Sequence, residues 1–188
     1  MAGKRFAGRT LARSQALQLL FQAEASGRDV AAVVADDYLI SDGPLDDYGK
    51  RLALGAGEML PVLDEILQSS STNWSVSRMP AADRCLLRVI LYEMLEVPEV
   101  AISVSIDESV ELAKAYGTDE SASFVNGILG GIANRIEAGE DLVGQAEGRL
   151  ARRQAEQDAA SAEDAHAEEG AAEAEAADAG EPASAKGE

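Results

Sequence analysis

The chain has 188 residues, enough for one ordinary domain and a tail, and only 4% are aromatic, so any core rests on Leu, Ile and Val. A single cysteine, Cys85, excludes an internal disulfide, and no run of about 18 apolar residues is present to span a membrane. The net charge of -18 is unevenly placed: residues 154–188 hold eleven acids against one lysine, whereas residues 1–23 hold Lys4, Arg5, Arg9 and Arg13 and no acid. No apolar segment of the secretory type follows the basic start, so the expected location is the cytoplasm.

In chain order, residues 1–8 read as a flexible basic arm. Leu17, Leu20, Phe21 and Glu24 follow an i, i+3, i+4 course that predicts a first helix from about Arg9 to Ser26. Val30, Val33, Val34 and Leu39 suggest a shorter second helix after Gly27. A long third segment runs from Asp46 to about Gln68, which Pro61 should kink or divide. Trp74, in a polar loop, reads as a lid on the core. Pro80 suits a first helical position before a buried helix carrying Leu86, Leu87, Ile90, Leu91, Met94 and Leu95. Ser105-Ile106-Asp107-Glu108 has the form of a capping box and should start a helix that ends at Tyr116-Gly117, with Val100–Val104 as the loop before it. Val125, Leu129, Ile132 and Ile136 share the stripe of a last helix. The expected fold is all-α, with about six or seven helices within residues 9–140. Residues 141–188 form an acidic, Ala/Glu-rich tail that cannot bury enough apolar surface to offset its ordering entropy and should be disordered. The tail reads as a solubilising segment or as a competitor with an anionic ligand for the basic head.

Catalysis finds no constellation here. No Cys/His cluster has metal-ligand spacing, and the only histidine, His166, falls in the tail, so no Ser-His-Asp set can assemble. Asp36 and Asp37 are adjacent on the chain and face apart on a helix. We therefore expect no enzyme, cofactor or metal. Cys85, between Arg84 and Leu86 in an apolar helix, reads as a small buried side chain. The basic head is the stronger signal. Arg9 and Arg13 stand at i and i+4 and share a helix face that continues through Ala16, Leu17 and Leu20. The core should stop near Arg13, so that the first helix projects two guanidinium groups towards a phosphate strand. Phe21, at i+4 from Leu17, reads as core, and Tyr116 as an apolar contact at a helix end.

Three stretches carry a family resemblance. ARSQALQLLFQAE (12–24), DRCLLRVILYEM (83–94) and SVSIDESVELAKAYG (103–117) followed by SFVNGIL (123–129) resemble, in order and spacing, segments of the NusB antitermination family. The resemblance covers about residues 9–137 and implies two small helical bundles. It also implies a role in RNA polymerase antitermination complexes on ribosomal RNA operons. There the protein would bind boxA RNA together with NusE, a small-subunit ribosomal protein. The family's RNA site falls here on Arg9 and Arg13, with Lys4 and Arg5 nearby and Phe21 and Tyr116 as aromatic neighbours; Phe21 stands where the family commonly has tyrosine. The partner surface falls near Asp83, Arg84 and Phe124. Self-association as a homodimer is a further expectation. Two other readings stay open: a helical scaffold that binds no RNA, and a detached front domain of a ribosomal RNA cytosine methyltransferase. Gly127 of the SFVNGIL motif is expected to serve close helix packing, and Gly130 and Gly131 have no account.

Overall fold

Apolar side chains three and four residues apart give eight α-helices among the described residues, and no strand, in a computed structural model that describes residues 6–71 and 74–178, with side chains to residue 161. The helices are α1 (Gly8–Ser26), α2 (Val30–Ala35), α3 (Asp47–Glu58), α4 (Leu60–Ser70), α5 (Ala81–Glu96), α6 (Ile102–Tyr116), α7 (Ser121–Glu137) and α8 (Leu142–Asp178), with a 3-10 turn at Val76–Arg78 before α5. The all-α expectation holds. Lys4 and Arg5 lie outside the described residues.

Local chemistry sets several boundaries. Gly27 ends α1 in the left-handed region, φ 63°, which a residue with a Cβ adopts at a cost; its N–H and that of Arg28 close onto the carbonyls of Glu24 and Ala23. Asp46 caps α3 by accepting from Tyr48 N at 2.8 Å. Pro61 divides the long third segment as expected, since it fits only the first turn of the new helix α4. Pro80 precedes α5 as its N-cap rather than entering it.

Helix α5 is the axis of the core. Leu86, Leu87, Val89, Ile90 and Leu91 are fully buried, and α5 packs against α1, α3, α4, α6 and α7. The groups α1–α3 and α4–α7 thus form two small bundles that share one continuous hydrophobic core. Between α1 and α3 the backbones nearly touch: a Cβ on Gly49 would stand 2.7 Å from the carbonyl oxygen of Ala12. Only glycine permits that approach, and it brings Tyr48 beside the start of α1.

Three expectations need correction. Helix α6 starts at Ile102, not at Ser105, and runs through the stretch expected to be a loop. Ser105 is buried and donates its hydroxyl to Glu93 at 2.6 Å, so it satisfies a core carboxylate instead of capping a helix. Gly127 serves no close contact, because a Cβ there would meet nothing within 4 Å, and the same holds at Gly130 and Gly131. Finally, the compact unit extends to Glu147, because Leu142 and Ala146 of α8 are buried in the core. From Gly148 a second unit is helical to Asp178, and residues 151–161 are all exposed. Ala, Glu, Gln and Arg are strong helix formers, so local propensity accounts for a helix whose residues 151–161 are exposed. His166 falls within that helix.

Candidate nucleic-acid and partner interface

The start of α1 carries one exposed cation, Arg9, and one buried cation, Arg13. Arg13 is 1% exposed and donates Nε to both oxygens of Glu93, at 2.9 and 3.0 Å. Its Nη1 lies 3.5 Å from Glu108 Oε2, which also accepts from Thr10 Oγ1 at 2.5 Å. Arg13 therefore lies inside the fold, contrary to the expectation that the core stops near it. A guanidinium is tolerated there because Glu93 supplies the countercharge from α5. Glu93, itself 0% exposed, also accepts from Tyr48 Oη at 2.5 Å and from Ser105 Oγ. Burial, together with the hydrogen bond and charge of Glu93, pushes the Tyr48 phenol well up, so it stays a donor throughout the physiological range.

Arg9 does project. Its guanidinium carbon sits 5.0 Å from the centroid of the Tyr48 ring, a cation–π geometry. The nearby carboxylate of Glu99 is held by Arg51 at 2.7 Å. The pairing of Arg9 with Arg13 on one face, expected from spacing, is thus divided between surface and interior.

One turn and more along α1 lies an apolar groove of about 330 Å³, lined by Leu17, Gln18, Phe21, Gln22, Leu39 and Tyr116 with Ala82. Phe21 is 43% exposed, so it belongs to this surface and not to the core. Tyr116 is fixed from two sides: its hydroxyl lies 2.6 Å from Ser14 Oγ and accepts from Gln18 Nε2 at 3.1 Å, and its ring stacks on Phe6 at 6.3 Å. The far wall is Leu39, 82% exposed. Three glutamines of α1, spaced along one face, pin the loop that carries it. Gln22 Oε1 accepts from Leu39 N, Gln18 Oε1 from Ser41 N and Gln15 Oε1 from Asp46 N, while Gln15 Nε2 donates to the carbonyls of Asp42 and Pro44. Sequence reasoning missed this ladder, although Gln15, Gln18 and Gln22 at i, i+3 and i+7 on α1 were its visible sign. The structure thus brings Phe21 and Tyr116 together, with Arg9 near the N-terminal end of the same helix.

The residues expected at the partner surface separate. Asp83 and Phe124 share a second cavity, about 180 Å³, with Trp74, Pro80, Thr118, Glu120 and Ser121. Trp74 is half exposed on its rim, so it is no lid on the core. Asp83 is 3% exposed; its Oδ2 accepts from Ser121 Oγ at 2.9 Å, and its buried Oδ1 has no hydrogen-bond partner among the described residues. Burial pushes its carboxyl above the usual carboxylate range. Arg84 turns the other way. Its guanidinium binds Glu24 of α1 and donates to the carbonyls of Val76 and Met79, and Arg88 joins Glu24 to Asp64. Arg84 ties α5 to α1 and does not line this cavity.

Among the described residues, no group of three or more His, Cys, Asp and Glu could hold a metal, and no helix is long and apolar enough to cross a membrane.

Comparison with known proteins agrees with the resemblance. Residues 10–134 match the model of the NusB family. A "Transcription antitermination protein NusB" of Sorangium cellulosum is 41% identical over 130 residues, covering 68% of this chain and 93% of that protein. One of Kineococcus radiotolerans is 40% identical over 131 residues, covering 70% and 96%. Among solved structures, T. maritima NusB matches at a TM-score of 0.60 with 34% identity, covering 69% of this chain and 93% of that one. A structure of antitermination factors NusB and NusE in complex with dsRNA matches at a TM-score of 0.55 and 23% identity, which speaks to the fold. It covers 66% of this chain and 94% of that one.

Proposed function

Since this chain belongs to the NusB family, we propose that it is a cytoplasmic transcription antitermination factor that works without catalysis, binding boxA RNA of ribosomal RNA operons together with NusE. The observation that carries the reading is the surface of α1: an exposed guanidinium at its start and, further along the same helix, an aromatic groove walled by Phe21, Tyr116 and Leu39. Arg9, with Lys4 and Arg5 of the arm, neutralises backbone phosphates, and counterion release makes that term dependent on salt. Phe21 and Tyr116 offer ring faces for unpaired bases. The hydrogen bonds of Gln18 and Gln22 are committed to the protein backbone and to Tyr116, so the groove favours stacking over the reading of base edges.

NusE is proposed to seat on the Asp83–Phe124 cavity, where Trp74, Pro80 and Phe124 set an apolar wall beside the polar side chains of Thr118, Glu120 and Ser121. Joining the two proteins adds RNA contacts that neither has alone, so the pair binds RNA more tightly than the sum of its parts. The assembly so formed would enter the RNA polymerase antitermination complex. The test is a titration of labelled boxA RNA with the full chain, with and without NusE, at several salt concentrations. The reading expects binding that weakens with salt, tightens with NusE, and loses slope in Arg9→Ala. Binding that ignores NusE and salt would defeat it.

A further inference from the structure

An exposed arginine ordinarily samples many rotamers, and fixing it on a ligand costs the entropy of those rotamers. Arg9 is not in that position. Its guanidinium lies on the Tyr48 ring, and Tyr48 is anchored through its backbone and its phenol. The Tyr48 backbone N–H is bound to Asp46 in the first turn of α3, the neighbouring Gly49 is pressed against the backbone of Ala12, and the phenol is anchored on Glu93. Glu93 in turn is held inside the core: Arg13 donates to both its oxygens and Ser105 to one of them. A phenol that donates to a carboxylate also gains electron density in its ring, which strengthens the attraction for a cation on its face.

We propose that Tyr48 is a positioning residue for RNA binding: anchored through Glu93 on the buried Arg13, it holds Arg9 in the orientation in which it meets a phosphate. The inference rests on the RNA-binding reading and adds to it a division of labour between the two arginines. Arg9 makes the contact, and Arg13 serves it from inside, by way of Glu93 and Tyr48. The chain Arg13–Glu93–Tyr48–Arg9 couples helices α1, α5 and α3 to a single surface charge. Glu99, the carboxylate that senses Arg9, is occupied by Arg51 and leaves Arg9 to the ring.

The test is a double-mutant cycle in the full chain, with boxA RNA and NusE as ligands and Tyr48→Leu and Arg9→Ala as the two changes. The proposal expects Tyr48→Leu to weaken RNA binding about two- to five-fold in the presence of Arg9 and to have no effect in the Arg9→Ala background. A loss of the same size in both backgrounds would overturn it, since that is the pattern of a merely structural residue. Tyr48→Phe, which keeps the ring and removes only the anchor, should give a smaller loss that also vanishes without Arg9. It keeps the cycle decisive if the leucine variant folds poorly. A second arm uses no RNA. In the free protein, the Arg9 Nε–Hε resonance should report an ordered side chain that becomes averaged in Tyr48→Leu, and an unchanged resonance would reject the contact. If Arg9→Ala alone changes neither affinity nor salt slope, the RNA-binding reading fails, and the resonance still decides whether Tyr48 orders Arg9.

Discussion

Arg13 and Glu93 meet eighty residues apart in sequence, the guanidinium Nε within 3.0 Å of both carboxylate oxygens, in a place that solvent does not reach. The pair joins the first helix to the central one, and removing one member strands the other. Arg13→Ala leaves Glu93 with only two neutral donors, Tyr48 and Ser105, and should destabilise the protein by about 3–5 kcal/mol. Arg9→Ala, by contrast, loses only the surface contact with the Tyr48 ring and should change stability by about 1 kcal/mol at most. Urea unfolding of the two variants separates them. Equal stabilities would mean that Arg13 is not the buried partner of Glu93.

The pH dependence of stability should contain two opposed contributions. Glu24 is held below the glutamate range, mainly by its hydrogen bond to Arg84 and against the opposing effect of burial. A depressed folded-state value stabilises the fold above the unfolded value, near 4.5, and that contribution is lost as the pH falls through the folded value. Asp83 runs the other way. Its carboxyl is raised by burial, so its contribution is fully present below about 3.8 and is lost as the pH rises through the raised value. Asp83→Asn should therefore stabilise the protein at neutral pH, and Glu24→Gln should destabilise it there with a difference that fades in acid. Melting temperatures between pH 3 and 8 read both. If Asp83→Asn lowers stability at neutral pH, the burial argument for Asp83 is wrong.

Helix identity was legible in the sequence because Leu, Ile and Val recur at helical spacing, as along α5 and α7. Pro61 marked the division between α3 and α4. Tertiary partnership was not legible. Arg13 looked like a surface cation because nothing near it in sequence could neutralise it, and Glu93 gave itself away only as a carboxylate on the buried side of α5. Ser105 looked like a cap for the same reason: its acceptor lies on another helix. Phe21 obeyed the apolar stripe yet lies open, because the loop bearing Leu39 stands beside it and leaves a groove. Periodicity says which face a residue shares, whereas burial also depends on what comes to cover that face.

Cys85 has 0% exposure, and its thiol is pushed up to about 12, chiefly by burial. At pH 8 only roughly one thiol in ten thousand would be ionised. A thiol reagent should therefore leave the native protein untouched over the time in which it modifies the urea-unfolded chain completely. The slow native reaction should follow the opening equilibrium, so it should accelerate in Arg13→Ala by the factor by which that variant is destabilised. Rapid modification of the native protein would place the thiol at the surface and contradict the packing of α5.

The groove can be tested apart from the charge. Phe21 and Leu39 are exposed, so alanine at either should leave stability within about 0.5 kcal/mol, while Phe21→Ala should cost RNA affinity roughly five- to hundred-fold if a base stacks there. Because stacking involves no counterion, the slope of affinity against salt should stay as in the unaltered chain, whereas Arg9→Ala should lower that slope by about 0.7. Gln15→Ala should act indirectly. It frees Asp46 N and the carbonyls of Asp42 and Pro44, loosens the loop that carries Leu39, and costs about 1–3 kcal/mol of stability. Affinity and salt slope measured on the three variants assign each residue to stacking, charge or support. A Phe21→Ala protein that binds boxA RNA as tightly as the parent would remove the groove from the interface and leave Arg9 and the arm as the whole of the RNA contact.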